Sequence, residues 1–241
     1  MRPALLLVAM MLATPAGAAE MQPIGRFAID RTEVTAGAFR RFAEATGIVT
    51  KAERDGGGQV FEAGLTTKPG WTWRTPFGTP AADDEPAVHV TFAEAQAFCR
   101  WAGKRLPTDA EWLEAAHTER RAAPPAPFAA GRSYPYPTGD SPAGANCLGE
   151  CGPVPTIDRR AVLSRGIGHA RAGSTAAGVN GLFEMGANAW EWTDGGTPAE
   201  RPTRGGSWWY GAAQMHRDHM ATKPPETAVV YIGFRCAADP R

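Results

Sequence analysis

The chain has 241 residues, with 25 Lys and Arg against 25 Asp and Glu, and 43% of its residues are hydrophobic. This length suffices for one substantial core, so a single domain is predicted. A formal charge of zero provides no long-range field to attract polyanions, which excludes nucleic acid and acidic membrane surfaces as expected partners. The 28 Gly and 21 Pro predict many turns and much irregular structure.

The N-terminal segment is predicted to be a secretion signal. Arg2 precedes an apolar run from Leu5 to Leu12, and an A-x-A pattern follows for a signal peptidase. We therefore expect a signal peptide at residues 1–19 and one domain at 20–241. No later stretch approaches the ~18 consecutive apolar residues of a membrane span, so a periplasmic or secreted location is predicted.

The first elements of the domain are a predicted strand and a predicted helix. The segment from Ile24 to Val34 has the alternation of a strand, with Phe27 and Ile29 on one side. Thr35 then caps a helix of sequence AGAFRRFAEAT that ends at Gly47. A long segment rich in Gly, Pro and Trp follows, and it predicts an ordered loop or a lid.

Two capping boxes predict the next helices. Thr91 pairs with Glu94, and Thr108 pairs with Glu111. The short run AVHV before the first of them predicts a strand, and the later runs RGGSWWYG and VYIGFRC also predict short strands. The helix corner between the two boxes is expected to bring Trp101 and Trp112 into the core.

The cysteines are expected to form disulfides, because an oxidising compartment favours disulfides over metal clusters. Three pairings are possible for the four residues, and Gly149 and Gly152 make a tight local loop feasible within NCLGECGP. A C-x3-C without a second such pair or a nearby His is a weak zinc signal. The four residues are Cys99, Cys147, Cys151 and Cys236.

Four separated motifs carry a family resemblance: AFCRWAGKRLPTDAEWLEAA, GLFEMGANAWEWT, RGGSW and IGFRC. In this order they resemble the sulfatase-modifying factor, or formylglycine-generating enzyme, family over roughly residues 27 to 238. The resemblance implies a single α+β domain of the formylglycine-generating-enzyme fold, distantly similar to C-type lectins. It also implies a Cys99–Cys236 disulfide, which leaves Cys147 with Cys151.

The resemblance further implies calcium. Glu184 and Glu191 would ligate through their carboxylates, and Ala187 and Ala189 through their carbonyl oxygens, which are the hard donors that calcium prefers. The alternative is a solvated acidic turn that buries the flanking tryptophans. A second family calcium site would use Asn146 and the carbonyl of the next residue, but its Asp has no counterpart in ECGPVPTID.

One departure from the family pattern concerns copper. In members that make formylglycine, two cysteines hold copper(I) at three and eight residues after the serine of RGGS. Counting from Ser207, these positions are Tyr210 and Met215. A phenol is a hard donor and a thioether is a neutral one, so the pair cannot form a dithiolate. The usual formylglycine chemistry is therefore expected to be absent.

The same segment supplies the candidate functional residues. Tyr210, His216 and His219 are the candidate catalytic groups, since a neutral imidazole can act as a general base. On a helix, His216 and His219 would share one face, and with Met215 they form a candidate set of copper or iron ligands. The alternative is one surface histidine and one structural histidine. The candidate substrate-binding residues, suited to a planar or cationic ligand, are Ser207, Trp208, Trp209 and Gln214.

Three functions remain open from the sequence. The first is an exported enzyme of this fold with altered chemistry, which oxidises or matures a secreted protein or small molecule. The second is a non-catalytic periplasmic maturation or binding factor, for example for a copper enzyme such as nitrite reductase. The third is formylglycine generation with unusual ligands. His89, His117 and His169 have no partner in the sequence and are expected to be structural.

Overall fold

The chain folds into short helices and strands joined by long irregular segments. This computed structural model describes residues 20–164 and 167–240, so the predicted signal peptide lies outside the described residues. Among the residues described, no helix is both long enough and apolar enough to cross a membrane. The helices are α1 Ala36–Thr46, α2 Lys51–Arg54, α3 Phe92–Trp101 and α4 Asp109–His117, with 3-10 turns at Val179–Gly181 and Ala212–Met215.

The predicted helix starts are confirmed. Thr35 caps α1 and accepts a hydrogen bond from the Ala38 backbone nitrogen. Thr91 and Thr108 open α3 and α4 with complete capping boxes, each with the glutamate three residues later. Each box satisfies two backbone N–H groups that have no partner inside the helix.

The first sheet joins the two ends of the described chain. A hairpin of β1 (Met21–Ile24) and β2 (Phe27–Asp30) is completed by β9 (Ala237–Ala238), which pairs antiparallel with β2. Of the strand predicted from Ile24 to Val34, Phe27–Asp30 forms β2, and the predicted start is wrong because the chain reverses at Gly25, where φ is +57°.

The second sheet supports the segment that contains the candidate functional residues. Its strand order is β7 (Ala221–Lys223), β6 (Arg201–Arg204), β5 (Trp190–Trp192) and β8 (Ile232–Gly233), and only the β5–β8 pair is parallel.

Two of the predicted strands differ from the structure. The strand at RGGSWWYG ends at Arg204, because Gly205 and Gly206 turn the chain with φ of +93° and +79°. AVHV does not form a strand, because His89 has a left-handed φ of +58°.

A separate hairpin was not predicted. Strands β3 (Gly57–Phe61) and β4 (Leu65–Pro69) pair antiparallel where the glycine-rich sequence indicated only a break. Gly57 is required there, because a Cβ atom would lie 2.1 Å from the Lys68 carbonyl oxygen on the opposite strand.

The main core lies between α1, α3 and the C-terminal segment. Phe39 stacks on Phe98, and both rings contact the edge of Phe234. Trp112 is buried as predicted, whereas Trp101 is 41% exposed, so its predicted core position is wrong. The mixture of helices and mainly antiparallel strands confirms the α+β class.

Both expected disulfides are formed. Cys99 pairs with Cys236 over 137 residues of sequence, and Cys147 pairs with Cys151 over four. The first bridge fastens α3 to the segment just before β9. No cysteine in the described part of the chain is free.

Candidate functional site

The segment after β6 runs into the protein interior before it returns to the surface. Ser207, Trp208 and Trp209 are at most 2% exposed, whereas Tyr210 and Gln214 are partly exposed. The Ser207 side chain stabilises the local turn, since its hydroxyl accepts a hydrogen bond from the Trp209 nitrogen at 3.3 Å. Three of the four predicted substrate-binding residues are therefore core residues here, and their contact with a substrate stays a prediction.

Three partly exposed side chains surround the ring of Trp190, and we call this group the Trp190 face. The rings of Tyr210 and His219 lie 5.8 and 5.7 Å from the Trp190 ring, centroid to centroid. The Lys223 ammonium lies 5.9 Å from the same centroid. The Trp190 Nε1 atom is buried without a hydrogen-bond partner among the described residues.

The charges around the Trp190 face favour a neutral imidazole. Partial burial lowers the pKa of His219, and the positive charges of Arg204 and Lys223 lower it further. Burial also lowers the pKa of Lys223. At neutral pH, His219 therefore has a free lone pair for a proton, as a general base needs.

Tyr210 lies between the Trp190 face and the core. Its ring meets the edge of Tyr231 at 5.8 Å, and the two hydroxyls interact. Burial raises the pKa of Tyr231 above its usual range, and the Tyr210 hydroxyl adds to this effect. The Tyr210 hydroxyl is thus held beside a neutral phenol.

The structure separates the two candidate histidines. The 3-10 turn ends at Met215, and His216 has extended backbone, so the helix that would place both imidazoles on one face is absent. The His216 ring packs edge-on against Tyr136 at 5.4 Å, whereas His219 contacts Trp190. Met215 is buried against the sulfur of Cys151.

These positions do not fit one copper or iron ion bound by Met215, His216 and His219 together. Within residues 20–164 and 167–240, no group of three or more His, Cys, Asp or Glu side chains is placed to hold a metal. A transition metal bound through any of the three residues stays a prediction.

The predicted calcium turn contains an ion pair instead. Arg235, which is fully buried, donates to both oxygens of Glu191 at 2.7 and 2.8 Å, and the Trp112 indole donates to Glu191 at 2.7 Å. The negative charge of Glu191 keeps the pKa of Arg235 raised in spite of burial. Glu191 therefore has its compensating cation within the protein.

The second predicted calcium carboxylate is also satisfied. Glu184 accepts hydrogen bonds from the backbone nitrogens of Gly173 and Thr175 and from the Thr175 hydroxyl. Since both carboxylates are fully hydrogen-bonded, this donor set does not fit a calcium ion without rearrangement. Calcium ligation by Glu184, Glu191 and the Ala187 and Ala189 carbonyls stays a prediction.

A buried carboxylate that the sequence did not single out completes this turn. Glu33 accepts hydrogen bonds from the Asn188 amide at 2.6 Å and the Ala189 nitrogen at 3.0 Å. Burial raises its pKa well above the usual range, and nearby Glu191 and Glu184 raise it further. Asn146 donates to the Asn188 side chain, so its predicted role as a second calcium ligand stays untested.

The three histidines expected to be structural are fully or almost fully buried. One nitrogen of His89 lies 3.0 Å from the Pro76 carbonyl, and one nitrogen of His117 lies 3.1 Å from the Tyr134 carbonyl. His169 lies 3.0 Å from Glu85, and burial lowers its pKa.

Comparison with known proteins decides the family. The model of the sulfatase-modifying factor enzyme 1-like domain matches residues 8–240. The chain belongs to this family. The formylglycine-generating enzyme of Streptomyces coelicolor is similar, with 30% identity over 94% of this chain and 81% of the relative.

Another curated relative is named as an inactive protein, and a solved structure has a similar fold. The mouse protein called inactive C-alpha-formylglycine-generating enzyme 2 is 30% identical over 92% of this chain and 78% of its own length. The solved structure of PvdO from Pseudomonas aeruginosa has a TM-score of 0.60 at 19% identity, over 89% of this chain and 80% of that one. The formylglycine-generating-enzyme fold expected from the motifs is thereby confirmed.

Proposed function

We propose that this protein is an exported member of the sulfatase-modifying factor family that acts in the oxidative modification or maturation of a secreted protein or small molecule. It acts without a copper dithiolate at the two positions after RGGS. The observation that carries this proposal is the pair of side chains at those positions: Tyr210 is a phenol, Met215 is a buried thioether, and every described cysteine is in a disulfide.

The Trp190 face is the proposed site of action. Tyr210 and His219 are partly exposed and contact the same buried indole ring, and Lys223 adds a cation. His219 would accept a proton from the substrate, and Tyr210 would hydrogen-bond to it through its hydroxyl. His216 would lie outside this group, beside Tyr136.

Export is supported by the two disulfides, which are typical of oxidising compartments.

A non-catalytic maturation factor is the second candidate. It is favoured by the burial of Trp208 and Trp209, which withdraws both indoles from contact with a small substrate, and by the separation of His216 from His219. In this case the Trp190 face would bind a segment of an exported partner protein. The name of the mouse relative records that one family member is inactive.

The proposal is tested in a host strain that lacks the gene and carries either wild-type protein, His219→Ala or His216→Ala. Exported proteins and small molecules are compared by mass spectrometry for gain of an oxygen atom or loss of two hydrogen atoms. We expect an oxidised product with the wild type, its loss in the deletion and in His219→Ala, and a smaller effect of His216→Ala.

Two outcomes contradict the proposal of oxidation by altered chemistry. If no exported molecule differs between wild type and deletion while an exported enzyme loses its activity, the maturation factor is correct. If purified protein converts the cysteine of a sulfatase-type peptide to an aldehyde, the third function, formylglycine generation, is correct. Binding of calcium alone, without copper or iron, also favours the maturation factor.

A further inference from the structure

The sulfur atoms of three residues lie together beneath the segment that ends in the second 3-10 turn. The Cys147–Cys151 disulfide faces Met215, and the Cys151 Sγ atom lies 3.9 Å from the Met215 Sδ atom. The two segments are 64 residues apart in sequence. We call Cys147, Cys151 and Met215 the sulfur cluster.

The surroundings of the sulfur cluster fix the thioether in place. Cys151 and Met215 are each 1% exposed and pack with small apolar residues. Gly186 leaves room for the methionine methyl group, because a Cβ atom on Gly186 would lie 2.5 Å from Met215 Cε. The neighbouring apolar residues of this cluster are Ala145, Ala187 and Ala212.

Two hydrogen bonds hold the disulfide loop against the methionine segment. The Leu148 nitrogen donates to the Tyr210 carbonyl at 2.9 Å, and the Ala212 nitrogen donates to the Glu150 carboxylate at 3.1 Å. These bonds flank the sulfur cluster and do not involve its sulfur atoms. Opening of the disulfide would therefore leave both sulfurs of the loop beside Met215.

We propose that the sulfur cluster binds a soft monovalent cation, copper(I) or silver(I), when the Cys147–Cys151 disulfide is reduced. The disulfide is reduced to two thiols by two electrons and two protons: a dithiol supplies both and becomes a disulfide itself, whereas a phosphine supplies the electrons and becomes the phosphine oxide as water provides the oxygen atom and both protons. The cation then displaces both thiol protons to solvent and is bound by two thiolates and the neutral Met215 thioether. This site is independent of the proposed action at the Trp190 face.

The donor set and its spacing suit such an ion. Thiolate and thioether sulfurs select soft cations such as copper(I). Three sulfurs around one ion at about 2.3 Å each are separated from one another by about 4 Å. The contact between Cys151 and Met215 already has this separation, at 3.9 Å. Binding thus requires the two cysteine sulfurs to move apart while Met215 stays in place.

Access to the sulfur cluster is through Cys147. Its side chain is partly exposed, whereas Cys151 is buried, so a reductant and the cation can reach the loop from the Cys147 side. The buried Cys99–Cys236 disulfide, with both residues at 0% exposure, is protected from a mild reductant. Mild reduction is therefore expected to release two thiols per chain.

The test is a copper(I) titration of the full protein against a chromophoric chelator, under nitrogen, before and after mild reduction with a phosphine. Alkylation and mass spectrometry identify the two released thiols. We expect one copper(I) per chain in the reduced protein and none in the oxidised protein. Met215→Leu, which preserves size and fold, is expected to weaken binding at least about tenfold.

Matched variants keep the test decisive. Met220→Leu makes the same change at a 48% exposed methionine and is expected to bind like wild type. Cys147→Ser with Cys151→Ser is expected to abolish binding, with circular dichroism as the check of folding. Equal binding by oxidised and reduced protein, or wild-type affinity of reduced Met215→Leu, would overturn the proposal. Neither result affects the mass-spectrometric test of the Trp190 face, which follows oxidation products and not copper binding.

Discussion

Gly205 is the residue whose backbone turns the chain from β6 into the buried tryptophans. Its φ is +93°, and an added Cβ atom would lie 2.8 Å from the Met185 carbonyl oxygen and 3.2 Å from the Trp112 ring. Both neighbours are buried and cannot move aside easily. The position therefore requires glycine for its conformation and for its lack of a side chain.

Replacement of Gly205 is expected to cost more than replacement of another glycine with the same conformation. Gly149 has φ of +90° with open space around it. Both Gly→Ala variants meet backbone strain of about 1–2 kcal/mol, and Gly205→Ala adds overpacking of about 1–3 kcal/mol. Urea unfolding of both variants measures the difference, and equal losses would show that the space around Gly205 is unimportant.

His89 links stability to pH at the residue scale. Burial lowers the pKa of its imidazole to about 4, below the ordinary value of 6.5. Between these values the unfolded chain binds a proton that the folded protein does not, so stability falls as pH falls from 6.5 towards 4. The slope from this one group is about 1.4 kcal/mol per pH unit.

The variant His89→Asn removes the imidazole that binds this proton in the unfolded chain. Asparagine also tolerates the left-handed backbone at this position. Its free energy of unfolding should depend less on pH than that of wild type, by about one proton over the interval from pH 4 to 6.5. Urea unfolding at several pH values provides the measurement. A slope equal to that of wild type would mean that His89 is protonated in the folded state.

Capping contributes to the stability of individual helices. Thr108 is exposed, and its side chain serves to accept the hydrogen bond from the Glu111 nitrogen at the start of α4. Thr108→Ala should therefore destabilise the protein by about 1 kcal/mol. Thr108→Ser keeps the hydroxyl and is the control, expected to remain close to wild type in thermal unfolding. A loss of the same size in both variants would contradict the capping argument.

The sequence predicted the elements that depend on local chemistry. Thr35, Thr91 and Thr108 fix helix starts through neighbours three residues away, so their boundaries follow from sequence. Elements that depend on distant partners were missed. The β3 strand, for example, pairs with residues up to Pro69, and its glycines alone indicated a break.

The candidate site was predicted only in part, because some of its contacts join segments that are distant in the sequence. The motif spacing located Tyr210 and Met215, but the imidazole pair was placed on a helix that does not form. The contact of Met215 with Cys151 and the pairing of Arg235 with Glu191 join segments 64 and 44 residues apart. No periodicity or local spacing reports such contacts.

The two disulfides differ in what they contribute to the whole molecule. In the chain-entropy model, closing a loop of 137 residues between Cys99 and Cys236 stabilises by about 5 kcal/mol. The same model gives about 2 kcal/mol for the short loop between Cys147 and Cys151. Most of the stabilisation by disulfides is therefore expected from the Cys99–Cys236 bridge, which lies outside the sulfur cluster.

This difference is measurable with paired variants. Cys99→Ala with Cys236→Ala should lower the free energy of unfolding far more than Cys147→Ala with Cys151→Ala. Denaturant unfolding of both double variants under oxidising conditions gives the comparison. Equal losses would indicate that packing around the cysteines, and not loop length, decides their contribution.

The pairing of β2 with β9 has a consequence for synthesis of the chain. The hydrogen bond from the Cys236 nitrogen to the Asp30 carboxylate can form only after another 206 residues have been synthesised. At about 5–20 residues per second, the first hairpin waits for some tens of seconds with one side unpaired. Its open hydrogen-bonding groups are then available to any other extended chain nearby. A holding chaperone during this interval would protect the newborn polypeptide from coaggregation.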